Sequence, residues 1–150
     1  MQKKIISYND VEKHANDSSL IEIDNLVFSV FSGNKIGTIK NIDALYLSGF
    51  NSFEILKAVI RWSLNIKTAC DFYNSGRNIE QAIQMSTPYL FWKIKPKFEQ
   101  SIKLCKDLNL AKIIDRLLLL ENKMKFLPNV DNTLLSYSLL GITKLINKND

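Results

Sequence analysis

The chain has 150 residues, 46% of them hydrophobic and 23% charged, with a formal net charge of +5. A length near 150 residues fits one domain, and such a domain buries about 68–70% of its unfolded surface, enough to fold without disulfide or metal staples. No apolar run approaches the roughly 18 residues that a membrane-spanning helix needs, and Lys3 and Lys4 are followed by only Ile5 and Ile6 before the polar run SYND, which is no signal peptide.

The charge is uneven. Residues 1–52 carry five basic and six acidic side chains, whereas residues 53–150 carry 15 and nine, so the excess lies entirely in the second part. Lysines number 17 against three arginines, beside 18 Ile and 15 Asn, a mixture that codon bias in an AT-rich genome also produces. A basic half permits contact with nucleic acid or an acidic partner without requiring it. The two cysteines, Cys70 and Cys105, fall on apolar helix faces. Buried, reduced thiols are expected there, which suits a cytoplasmic protein.

Residues 3–17 begin extended and then turn helical, with Ser7 and Asp10 as a start signal and Val11 as the apolar anchor. Asn16 to Ser19 is a loop by composition. In residues 22–32 the run LVFSVF has strand-like preferences, yet Ile23, Leu26, Val27, Val30 and Phe31 fit one helix face stopped by Gly33. A helix is expected. Asn34 caps the next one, in which Ile36, Ile39, Ile42, Leu45 and Tyr46 mark the apolar side up to Gly49. Gly37 weakens it by about 1 kcal/mol.

The longest helix is expected from Ser52, as cap, to Gly76, in the left-handed C′ position. Ile55, Val59, Trp62, Ile66, Cys70 and Tyr73 recur at steps of three and four. Phe53, Leu56, Ile60 and Leu64 form a second apolar line. Only Glu54, Lys57, Arg61, Asn65 and Thr68 make a polar strip, so the helix is covered on most sides and acts as a central post. Ile55, Val59, Trp62 and Ile66 are expected to be almost inaccessible.

Asn78 starts a short helix with Ile79, Ala82 and Ile83. Thr87-Pro88 then reads as a cap and first-turn proline. The helix that follows is expected to bury Phe91, Ile94, Phe98, Ile102 and Cys105, with a kink or break near Trp92 to Pro96. Asn109 begins a helix through Lys125 that turns Leu110, Ile113, Ile114, Leu117, Leu120 and Met124 inward. After the break at Leu127-Pro128-Asn129, the last helix carries Leu135, Leu139, Ile142 and Ile146, with Gly141 allowing close approach to a neighbour. The fold class is all-α, one compact multi-helix bundle over residues 1–150.

Catalytic signatures are sparse. The five glycines never cluster, so no phosphate-binding loop is built. His14 is the only histidine, it ends a short polar helix, and it reads as ordinary surface. Carboxylates are spread singly, none on an apolar face where burial would raise its pKa. No catalytic residue, cofactor or metal is expected. In ENKMKFLP (Glu121 to Pro128), Glu121 and Lys125 are an i,i+4 pair, a common feature worth about a few tenths of a kcal/mol. Two surfaces also stand slightly apart. In YLFWKIKPKF (Tyr89 to Phe98) aromatics alternate with Lys93, Lys95 and Lys97, the pattern of a nucleic-acid surface. Helical spacing instead assigns Phe91 and Phe98 to the core and the lysines to solvent, and that reading is preferred. On the Asn109–Lys125 helix, Lys112, Asp115, Arg116, Asn122 and Lys123 share one side, and Leu119 projects from its middle.

The order of these motifs resembles the C-terminal domain of the delta subunit of the bacterial clamp loader (DNA polymerase III). An entry like I-x-x-x-D-V stands at Ile6 to Val11, and SFEILKAVIRWSLNIKTACDFYNSG matches the leucine-rich helix with a basic middle and terminal glycine. NIEQAIQM and TPYLFWKIKPKF resemble the following short helix and its p-x-x-x-f-w-k-x-k-p-x-f segment. Leu118 to Leu140 resembles the L-L-x-x-E-x-x-x-K-x-x-x-P ending, with Lys125 in the lysine position. The resemblance spans roughly residues 3–145, and its specificity lies in order and spacing.

What it implies is a helical collar domain that packs against the other clamp-loader subunits in a five-subunit ring, in sliding-clamp loading for DNA replication. The family's amino-terminal AAA+-like module and lid domain have no room in this chain. Leu119, with Arg116 and Lys123, is then the interface candidate, exposed in the isolated chain and covered in the ring. The alternative is a stand-alone basic helical nucleic-acid binder using Lys57, Arg61, Arg77, Lys93 and Lys97, with weak, non-specific DNA contact at best.

Overall fold

The computed structural model describes residues 22–147, which form seven α-helices and no strand. The expectations for Ser7, Asp10, Val11, His14, the Asn16–Ser19 loop and the Ile6–Val11 motif lie outside the described residues. Helix α1 covers residues 22–31, and Ile23, Leu26, Val27, Val30 and Phe31 are all buried, as the helical period requires. Gly33 ends it at φ 71°, donating to the Val30 carbonyl, and the Asn34 amide donates to that of Ser29. This paired closure is the Schellman motif, which needs the left-handed residue. A Cβ on Gly33 would stand 3.1 Å from the backbone of Asn147, so the glycine also sets how closely the two ends of the described chain approach.

Helix α2 spans Lys35–Leu47 and is capped by the Asn34 side chain, which accepts from the Gly37 amide. Gly37 is part of that cap rather than a defect, because a Cβ there would stand 2.5 Å from the Asn34 amide nitrogen. The apolar side of α2 differs from expectation. Thr38, Ile42 and Leu45 are buried, whereas Ile36 and Ile39 are exposed.

Helix α3, Ser52–Asn74, is the longest, and Ile55, Val59, Trp62 and Ile66 are nearly inaccessible. Its cap is Asn51, one residue earlier than expected: Asn51 accepts from the Glu54 amide and Glu54 returns to the Asn51 amide, a capping box. Ser52 is free to turn inward, where its hydroxyl donates to Asn132 Oδ1. Leu64, at the end of the second apolar line, is exposed. Gly76 is left-handed at φ 98°, as expected.

Helix α4, Ile79–Ser86, opens with an Asn78–Gln81 capping box. The expected helix from Thr87 does not form. Residues 88–94 run through turns, and α5 covers only Lys95–Cys105 with Pro96 in its first turn. The proline lacks an N–H and its ring would meet the carbonyl four residues back, so the expected kink or break near Trp92 to Pro96 is a full break, and the helix starts at Lys95. Helices α6, Leu110–Phe126, and α7, Asp131–Asn147, follow, with the core faces the period assigns and the break at Leu127 to Asn129.

α3 packs against α4, α5, α6 and α7, while α2 lies on α7. One contiguous core joins α1 to α7. Three rings pin α1, α3 and α5 together: Phe28 and Phe98 stand 5.2 and 5.9 Å from Trp62, and Phe28 meets Phe98 edge-on. Buried hydroxyls are satisfied locally and across helices, as where Thr38 meets Thr143 at 3.1 Å. Among the described residues no helix is long and apolar enough to cross a membrane.

Candidate functional site

Between α6 and α7 runs an open groove of about 480 Å³. Each helix gives it one row with the i, i+3, i+4, i+7 spacing of a helix face: Arg116, Leu119, Leu120 and Lys123 from α6, and Leu134, Tyr137, Ser138 and Gly141 from α7. Leu119 is 61% exposed and Tyr137 81% exposed. Gly141 does not bring a neighbour close, contrary to expectation. Nothing lies within 4 Å of where its Cβ would be, and the missing side chain opens the groove. Arg116 and Lys123 stand on its lining, no carboxylate does, and neither cation has an ion-pair partner among the described residues. Among the described residues the ion pair on α6 is the expected Glu121–Lys125, 3.6 Å long, with Lys125 exposed and Glu121 half-buried.

The second surface is the turn segment before α5. Tyr89 is 98% exposed, Trp92 70% and Phe91 45%, so the assignment of Phe91 to the core is corrected: without a helix the 3.6-residue period does not apply. Phe98, on the far side of Pro96, is buried as expected. The Lys93 ammonium lies over both rings, 5.4 Å from the centre of Trp92 and 6.0 Å from that of Phe91. Phe91 separates two hollows, one with Arg61 and Tyr89 on its walls, the other with Lys93 and Lys97. Of the nucleic-acid candidates, the structure thus gathers Arg61, Lys93 and Lys97. Lys57 is one turn away along α3, and Arg77 follows its far end, roughly 20 Å beyond Arg61 at 1.5 Å per residue. Lys97 is held by Asn25 Oδ1 at 2.9 Å. Lys95 is taken up by Glu80 at 2.7 Å, and that bond raises its pKa.

Asp24 lies where both hollows meet. It is buried on the apolar surroundings of α1, which corrects the expectation that no carboxylate would be. Its Oδ1 accepts from Trp62 Nε1 at 2.7 Å. Burial pushes its pKa up, and the Trp62 bond, Arg61 and Lys97 only partly oppose that. Cys70 and Cys105 are free and buried, and burial lifts both thiols to about 12. Such thiols are not nucleophiles at neutral pH.

Sequence reasoning placed Leu119, Arg116 and Lys123 on one exposed face and singled out the segment that holds Tyr89 and Trp92 without settling their exposure, but it missed Tyr137. Tyr137 stands two residues past Leu135, about 200° around α7 from the core stripe, a signal that was readable. Tyr89 and Trp92 depend on where α5 starts. Comparison with known protein families, curated proteins and solved structures returns no match to this chain.

Proposed function

We propose that this chain is a non-catalytic, protein-binding helical domain, the collar of a clamp-loader delta subunit in DNA replication. The motif order described above supports the family. One observation carries the binding role: Leu119, 61% exposed, projects into an apolar groove edged by two cations, Arg116 and Lys123, that have no ion-pair partner among the described residues. An apolar anchor ringed by polar groups is the layout of an interface core. Co-purification with the other clamp-loader subunits tests the reading. Leu119→Lys should weaken that assembly by on the order of 1–2 kcal/mol and leave the melting temperature within a few degrees of wild type. Loss of fold in the mutant would make Leu119 core and overturn the interface.

The exposed Tyr89, Phe91 and Trp92 with Lys93 favour a second reading, a nucleic-acid surface on which bases stack. Lys93→Glu with Lys97→Glu should then abolish DNA binding and flatten its salt slope. Tight binding that persists near about 0.3 M salt would place this reading first.

A further inference from the structure

We infer that the α6–α7 groove takes a third helix, supplied by a partner whose apolar face is flanked by carboxylates. The inference deepens the protein-binding role proposed for this face, and it does not depend on which assembly the partner belongs to.

The walls decide the partner's backbone. Both are helices, whose main-chain N–H and C=O groups are bonded internally, so an extended peptide would find no ladder partners here. A helix satisfies its own backbone and needs only a groove for its side chains. The two i, i+3, i+4, i+7 rows form such a groove, and the gap at Gly141 is open for an apolar side chain from the incoming helix.

The lining decides the partner's charge. Arg116 and Lys123 are seven residues apart, two turns of α6, and so lie within about 20° of one another around its axis and about 10.5 Å apart along it. Two carboxylates at the same seven-residue spacing on a docked helix would face both cations. Among the described residues no acidic side chain lines the groove, so a basic partner would meet repulsion from Arg116 and Lys123. Asp115 lies on the exposed face of α6 but not on the groove.

The test uses the whole chain and a fluorescein-labelled amphipathic helix of about 18 residues. Its leucines repeat at i, i+3, i+4 and i+7 and its glutamates flank them seven residues apart; a second peptide carries lysine for every glutamate. Fluorescence anisotropy should show saturable binding of the acidic peptide and at least about tenfold weaker binding of the lysine peptide. Gly141→Leu should abolish binding. Among the described residues nothing lies within 4 Å of where the Cβ would stand, and leucine favours the helix more than glycine does, so the variant should fold. Arg116→Glu with Lys123→Glu, both exposed, should invert the preference between the peptides, and circular dichroism should show both variants folded. No saturable binding of the acidic peptide, equal binding of both peptides, or undiminished binding by folded Gly141→Leu would overturn the inference. So would displacement of the peptide by a DNA oligonucleotide in wild type but not in the charge-reversed variant, because the cations would then be a phosphate site. No loader subunit enters this assay, so failure of the clamp-loader reading and failure of the groove chemistry are read separately.

Discussion

Asp24 is a buried carboxylate whose Oδ1 accepts from Trp62 Nε1 at 2.7 Å. Its raised pKa means the native state holds the proton to higher pH than the unfolded chain does, whose value is near 3.8. As pH rises from 3.8 through the native value, the unfolded state gains relative to the native one and stability falls. Asp24→Asn keeps an acceptor for Trp62 Nε1 and removes that dependence. It should be at least as stable as wild type at pH 7, the difference vanishing below 3.8. Asp24→Ala should cost about 1–3 kcal/mol in urea unfolding, because the indole N–H is left buried and unbonded. The two tryptophans offer a separate check. Acrylamide should quench Trp92 and spare Trp62, so Trp92→Phe should leave a fluorescence that quencher barely reaches. Cys70 and Cys105 should resist iodoacetamide at pH 8 until the chain unfolds, since their pKa near 12 leaves almost no thiolate. The burial of Cys70, Cys105 and Trp62 was legible because each repeats a helical period. That of Asp24 was not: α1 is buried nearly all round, and one helix's period cannot show how many neighbours surround it.

Helix boundaries were legible where an asparagine cap does the work, as at Asn34, Asn78 and Asn109. At α3 both Asn51 and Ser52 can cap, and only the reciprocal Glu54 bond decides between them. The start of α5 is only partly legible: a threonine–proline pair, a familiar opening, stands eight residues before a second proline, and the break expected near Trp92 to Pro96 is complete, so no helix joins the two prolines. The glycine ends can be ranked. Gly76→Ala places a side chain in a left-handed position with open space around it and should cost about 1–2 kcal/mol. Gly33→Ala adds to the same strain a contact at 3.1 Å with Asn147 and should cost more. Urea unfolding of both variants measures the difference, and equal losses would mean that α7 yields at its end.

For the molecule as a whole, the central role of α3 was legible from the width of its apolar arc, and the structure packs α1, α4, α5, α6 and α7 against it. The pairing of α2 with α7 was not, since nothing local marks Thr38 and Thr143 as partners across the chain. As a protein-binding domain the chain should show no saturable ATP binding or hydrolysis, and a repurification-resistant ATPase would contradict the reading. That same pairing has a bearing on biosynthesis. Tyr46 and Ser52 reach Asn132, Thr38 reaches Thr143, and Asn147 bonds the Gly33 carbonyl at 3.1 Å. Every one of these links joins an early-made part of the chain to α7, which leaves the ribosome after the other six helices. Until then, the face of α2 that α7 covers stands open, and a nascent chain halted before Asp131 should offer it to proteases and to hydrophobic binders. The contacts that close this face are thus made only when α7 has been synthesised, and the exposure of α2 lasts as long as translation takes to reach it.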